Sequence, residues 1–116
     1  MQGKFISSRE VQREALKWGS LAFFSSPTVS NAKDLVVLEV TLNSGDGHNF
    51  HKHPNQEEVI YVIEGEIEQW VDKEKRILCP GDSVFISVGV VHASFNGSDR
   101  NAKLLAILGP CVGPEG

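Results

Sequence analysis

The stretch GDGHNFHKHPNQEEVIYVIEG, Gly45–Gly65, decides how this chain is read. It holds His51-Lys52-His53, two imidazoles two positions apart, which an extended strand places on one face because side chains alternate along it. Pro54-Asn55-Gln56 supplies a turn, and Glu58 follows five residues after His53, where the next apolar run begins. With four histidines in 116 residues, such a pair arises by chance in about one chain of seven, so the pair alone makes no site. A third imidazole, His92, lies far downstream after a turn at Gly89. Antiparallel strands closing a barrel can bring it opposite the first pair. Three neutral imidazoles and one carboxylate, His51, His53, Glu58 and His92, then form a ligand set for one divalent transition metal, with open positions for water or substrate.

Outward from this stretch the chain reads as strand and turn. Upstream, Asp34 to Asn43 is rich in Val and Leu and stops at the turn cluster Asn43-Ser44-Gly45-Asp46-Gly47. Downstream, the β-type runs are Glu58 to Ile63, Ile67 to Val71, Arg76 to Leu78, Ser83 to Val88, Val91 to Phe95 and Ala102 to Leu108. Short strands at this spacing argue for an all-β sandwich or barrel. One helix is expected near the N-terminus: Ser7 stands three residues before Glu10, the spacing of a capping box, and the helix would end at Gly19 after Trp18. No repeat or low-complexity linker divides the chain. Residues 1–116 are therefore expected to be one domain, with a core barrel over 34–110 and an N-terminal arm over 1–30.

Composition narrows the function. Eleven Lys and Arg against fifteen Asp and Glu give a net charge of -4, so no basic excess exists to neutralise nucleic-acid phosphates. No apolar stretch approaches the roughly 20 residues that span a bilayer, and no secretory signal pattern opens the sequence. Cys79 and Cys111 are too few for a disulfide framework and lie in no CxxC arrangement, which points to free thiols in a cytoplasmic protein. Val59-Ile60-Tyr61-Val62-Ile63 is apolar without alternation, so both faces of this strand are expected to be buried. Its outer face needs a cover, and a homodimer is the expected source.

Two sets of spacings carry a family resemblance. The first runs Gly45, five residues, His51-Lys52-His53, four residues, Glu58, six residues, Gly65. The second runs Gly81, five residues, Ser87-Val88-Gly89, two residues, His92, three residues, Asn96. Together they resemble the paired motifs of the cupins, with Ser87 where the pattern has proline, which would pre-set that turn. The resemblance implies a double-stranded β-helix of two antiparallel sheets, with a metal at His51, His53, Glu58 and His92. Mn, Fe, Co, Ni, Cu and Zn all suit such a site. It further implies a small metal-dependent enzyme acting on an oxygenated small molecule, as an oxidoreductase of the dioxygenase type or a sugar-acid isomerase. Glu58 is the candidate base, since a ligand carboxylate can partly detach. A metal- or ligand-binding module without turnover is the alternative.

The remaining residues receive plainer expectations. His48, three positions before His51, would face away from it on an extended strand and be a rim residue. Asn49 shares parity with His51 and can be pocket wall or filler. Glu57 can stand in for Glu58, but only Glu58 keeps six residues before Gly65. Phe50, Trp70, Phe85 and Phe95 are expected in the core, and Trp18, Phe23 and Phe24 in the packing of the N-terminal segment. Cys111 is read as an inert thiol rather than a ligand. Gly65 and Gly81 are expected at hairpin turns needing positive φ, and Gly89 in the loop that aims His92 inward.

Overall fold

Val36, Leu38, Val40 and Leu42 alternate with half-buried residues along β3 (Val36–Leu42), and this period of two turns one face of the strand inward. Strand β10 (Ala102–Gly109) repeats the pattern with Ala102, Leu104, Ala106 and Leu108 and pairs with β3 from Ala102↔Leu42 to Leu108↔Val36. Ile60 and Val62 extend the same inward face onto β5 (Glu57–Glu64), which pairs with the other edge of β10. In the computed structural model, which describes residues 2–114 and 116, these strands sit at the centre of a six-stranded antiparallel sheet. Its order is β1 (Gln12–Leu16), β2 (Gly19–Ser25), β3, β10, β5 and β8 (Ser83–Ile86). A second sheet runs β4 (Gly47–His51), β9 (His92–Phe95), β6 (Ile67–Val71) and β7 (Glu74–Leu78).

From β3 onward the chain passes back and forth between the sheets, except that β6 and β7 follow each other as a hairpin within the small sheet. This is the expected all-β double-stranded β-helix of two antiparallel sheets. The core between the layers joins Val62, Leu42 and Leu104 of the large sheet to Ile67 and Leu78 of the small one. Gly65 and Gly81 take the expected positive φ, 74° and 94°, but in turns that cross between the sheets (β5 to β6 and β7 to β8) rather than in the expected hairpins.

The expected helix over Ser7–Leu16 does not form. Gln12–Leu16 is instead β1, paired with β2 from Gln12↔Phe23 to Leu16↔Gly19. The Ser7 to Glu10 spacing closes one turn, with the Glu10 N–H donating to the Ser7 carbonyl at 3.0 Å. A helix this short is marginal in water, whereas the sheet edge satisfies the backbone at once. The one helix among the described residues is α1 (Pro27–Ser30), where the Ser26 hydroxyl accepts from the Val29 N–H at 3.1 Å.

The aromatic expectations also change. Phe23 is in the core, but Phe50 is 48% and Phe85 55% exposed. Phe50 meets Trp70 and Phe95, at centroid distances of 5.7 and 5.8 Å, on the outside of the small sheet. Strand β5 is likewise not buried on both faces. Ile60 and Val62 point inward, while Tyr61 and Ile63 stay exposed beside Phe85, uncovered by this chain. Cys79 and Cys111 are both free.

Candidate metal centre

His51 ends β4, His53 stands just beyond it, Glu58 is the second residue of β5 and His92 opens β9. The turn at Pro54 and Asn55 carries the chain from one sheet to the other, so the first two histidines face the strand that holds Glu58. His51 pairs with His92 in the β4–β9 register. One ligand-type atom from each of the four residues lies within 4.8 Å of all the others. The structure thus brings together all four residues singled out in the sequence.

Two of the imidazoles are held through Nδ1. Nδ1 of His51 lies 2.7 Å from the Asn49 carbonyl, and Nδ1 of His92 lies 2.9 Å from that of Val90. These contacts assign the ring proton to Nδ1 and leave Nε2 free to ligate. Gly89, at φ of 75°, donates its N–H to the His53 carbonyl at 2.9 Å, tying the loop before His92 to the end of the His-x-His segment.

The centre of the cluster is electrostatically incomplete. Nε2 of His92 is 2.9 Å, and Nε2 of His53 3.4 Å, from Oε1 of Glu58. Glu58 Oε1 and His92 Nε2 are buried and have no aligned hydrogen-bond partner among the described residues. A neutral His92 with its proton on Nδ1 turns a lone pair toward a carboxylate oxygen. A proton or a cation between them relieves that clash, and a nitrogen-rich set with one carboxylate suits a divalent transition metal.

The titration behaviour agrees. Burial pushes the Glu58 carboxyl up, but the imidazoles of His53 and His92 beside it outweigh this and bring its pKa to about 2. Burial lowers His92, yet the Glu58 carboxylate and the Val90 carbonyl leave it raised overall. His51 is lowered, chiefly by burial.

His48 is exposed, as expected of a rim residue, but it does not face away from His51. It pairs with Ser94 while His51 pairs with His92, so β4 spends three steps where β9 spends two. This bulge reverses the side-chain parity and brings His48 to the same side as His51. Their rings stack at 3.9 Å between centroids, and the indole of Trp18 stacks on the other face of His48 at 5.0 Å. Although part of His48 remains exposed, desolvation and then the neighbouring His51 bring its pKa down to about 4. Sequence reasoning missed both Trp18 and His48 because a bulge leaves no local signature. Asn49 is no pocket wall: it is exposed and its side chain accepts from the Phe50 N–H. Glu57 is exposed, whereas Glu58 is 7% exposed.

Inward of the cluster lies a cavity of about 40 Å³, lined by Leu42, Ile60 and Leu104 together with His51, Glu58 and His92. It suits a ligand of a few atoms. Anything larger must reach the centre from the mouth, where His51 and His53 are partly exposed. Ser94 also lines the cavity, and its hydroxyl donates to the buried Gln69 amide oxygen at 2.6 Å.

Among the described residues no helix is long and apolar enough to cross a membrane. The profile of the cupin domain matches residues 38–108. The chain is 24% identical over 110 residues to polyketide synthase CurC of Streptomyces cyaneus, covering 95% of this chain and 71% of that protein. KdgF from a Halomonas species superposes with a TM-score of 0.84 at 20% identity, over 96% of each chain. Oxalate decarboxylase of Bacillus subtilis, a protein with Mn(II) centres, superposes with a TM-score of 0.77 at 21% identity. That match spans 88% of this chain and 28% of the decarboxylase. At these identities the solved structures establish the shared fold.

Proposed function

This chain belongs to the cupin domain family, and from that premise we propose a metal-dependent enzyme acting on an oxygenated small molecule at His51, His53, Glu58 and His92. One observation carries the reading: a buried carboxylate oxygen and a buried imidazole nitrogen face each other 2.9 Å apart without an aligned hydrogen bond, inside a ring of further imidazoles. A divalent transition metal held there would polarise substrate oxygens and lower the cost of forming an enolate.

The chain's own residues divide the remaining work. His51 and His92, each hydrogen-bonded through Nδ1, turn Nε2 toward the centre. The apolar wall of Leu42, Ile60 and Leu104 excludes water from the inner side. Glu58, the one carboxylate of the cluster, would take a proton from the carbon next to a carbonyl only when its contact to the centre loosens, away from the imidazoles that hold its pKa at about 2 and make it a weak base. The names of two relatives, a polyketide synthase and an oxalate decarboxylase, support a carbonyl-bearing substrate. Reaction with O₂, in the manner of a dioxygenase, and isomerisation of a sugar acid are the two branches of this chemistry.

The second reading is a binding cupin without turnover, favoured by the small inner cavity. The protein purified with its native metal distinguishes them in a panel of hydroxy-ketones, polyketones and uronic acids, run with and without air. Metal-dependent O₂ uptake supports the dioxygenase branch. Exchange of α-hydrogen for deuterium without O₂ supports isomerisation. No turnover in either atmosphere, with tight retention of a small organic ligand, would replace the enzyme by the binding module.

We place the chain as one domain over residues 1–116 and as a homodimer. The uncovered apolar face of Tyr61, Ile63 and Phe85 supports the dimer. The two free thiols fit a reducing, cytoplasmic setting.

A further inference from the structure

Trp18, His48 and His51 form one continuous stack. The indole and the His48 ring lie 9° from parallel at 5.0 Å, and the two imidazoles 21° from parallel at 3.9 Å. We propose that Trp18 and His48 are positioning residues that hold the His51 imidazole in its ligating orientation, making the β1–β2 hairpin a working part of the metal centre. The proposal rests on the reading of His51 as a ligand.

His51 needs such support more than its partners do. His92 is 1% exposed and Glu58 7% exposed, so packing fixes both. His51 lies at the partly exposed mouth, and its one anchor, the Asn49 carbonyl, belongs to an exposed residue of the same strand. Rotation about that single bond would carry Nε2 off the centre. His48 blocks the rotation by covering one face of the ring, and Trp18 backs His48.

Two backbone features deliver the stack. A Cβ at Gly19 would lie 1.7 Å from the Thr41 carbonyl oxygen, so only glycine lets β2 start this close to the end of β3. The adjacent Trp18 carbonyl accepts from the Asn43 N–H at 2.9 Å, which pins the hairpin beside the start of the site-bearing segment. The bulge between His48 and His51 then turns His48 under the indole instead of away from it. Together they put a planar ring against a metal ligand.

The test uses Co(II) as the probe, because its visible bands report coordination geometry and its titration gives affinity independently of any substrate. His48→Ala is expected to weaken Co(II) binding by about 10-fold or more, the cost typical of losing a group that orients a ligand, and to change the bands. His48→Phe, which keeps a flat ring at that place, is expected to restore both. Trp18→Leu, which keeps apolar contact with the core but loses the ring face, should change the bands as His48→Ala does. An unchanged affinity and spectrum in His48→Ala would overturn the proposal. So would a His48→Phe variant as weak as His48→Ala, since the imidazole itself would then be acting as a donor. His51→Ala separates the two levels: Co(II) binding undiminished there would remove the ligand reading itself, whatever the His48 variants do.

Discussion

Nε2 of His92 stands 2.9 Å from Oε1 of Glu58, and neither buried atom has an aligned hydrogen-bond partner among the described residues. Two such groups left unpaired in the interior of a fold cost stability, so their retention is explained by what can sit between them.

Elemental analysis is expected to find close to one transition metal per chain. His51→Ala and His92→Ala each remove a donor, so each should lose more affinity than the roughly 10- to 100-fold cost of losing an outer-shell partner. Glu58→Gln keeps the shape but loses the charge, and should retain metal weakly while abolishing any proton transfer. Full metal content in His92→Ala would show that the cluster is not the binding site.

The metal-free protein should lose stability in acid. Glu58 has a folded pKa of about 2, below its ordinary 4.5, so its contribution is present above 4.5 and is lost as pH falls toward 2. His48, lowered to about 4, and His51, also lowered, resist protonation in the folded state, so stability falls as pH drops below 6.5. His92 is raised and acts in the opposite sense, contributing below 6.5 and losing that contribution as pH rises through its folded value. Thermal midpoints measured between pH 3 and 8 should therefore decline on the acid side. Glu58→Gln should flatten the limb below 4.5, and parallel curves for it and the wild type would contradict this assignment.

Binding of a divalent metal near neutral pH should release a proton. The Glu58 carboxylate raises His92 above its ordinary value, so the metal-free protein takes up a second ring proton there more readily than a free imidazole, and a metal on Nε2 displaces it. Calorimetric titration in buffers of different ionisation enthalpy measures that release, and a buffer-independent heat would rule it out.

Asn96 closes the second motif, and the structure gives it a structural role. It is 1% exposed, its amide donates to the Leu42 and Arg100 carbonyls at 3.0 and 2.7 Å, and its oxygen accepts from the Ser98 N–H and hydroxyl. Asn96→Ala strands these partners and is expected to cost about 3 kcal/mol, given ~1–3 kcal/mol for a buried group left unpaired. Leu42→Ala, at a fully buried side chain, is expected to cost about 2–5 kcal/mol. Urea denaturation at fixed protein concentration reads both.

The outer face of the large sheet should hold a second copy. Tyr61 on β5 and Phe85 on the edge strand β8, 43% and 55% exposed, lie toward its β8 edge. Sedimentation should give a dimer for the wild type and a monomer for the double variant Tyr61→Lys with Phe85→Lys, with metal content unchanged. A wild-type monomer at tens of micromolar would end the dimer reading.

Much of this was legible in one dimension. The alternation in β3, the Gly and Asn turns, and the joint spacing around His51, His53, Glu58 and His92 all act locally or through period-two geometry. Legibility failed where competing local rules were settled by a neighbour. The Ser7–Leu16 segment has a helix-start signal, yet Gln12–Leu16 found an edge to pair with. The run Val59 to Ile63 is continuously apolar, yet only its inner face is covered within the chain.

The residue types and spacing by themselves pointed to an all-β sandwich or barrel and singled out the four side chains that the fold brings together, because side-chain parity and turn chemistry are properties of the chain. Only the tertiary structure decided that Glu58 Oε1 and His92 Nε2 meet without an aligned bond. It alone also decided that His48 joins His51 under Trp18. Both depend on the register between strands distant in sequence. One extra residue in β4 against β9 reverses the facing of every side chain before it.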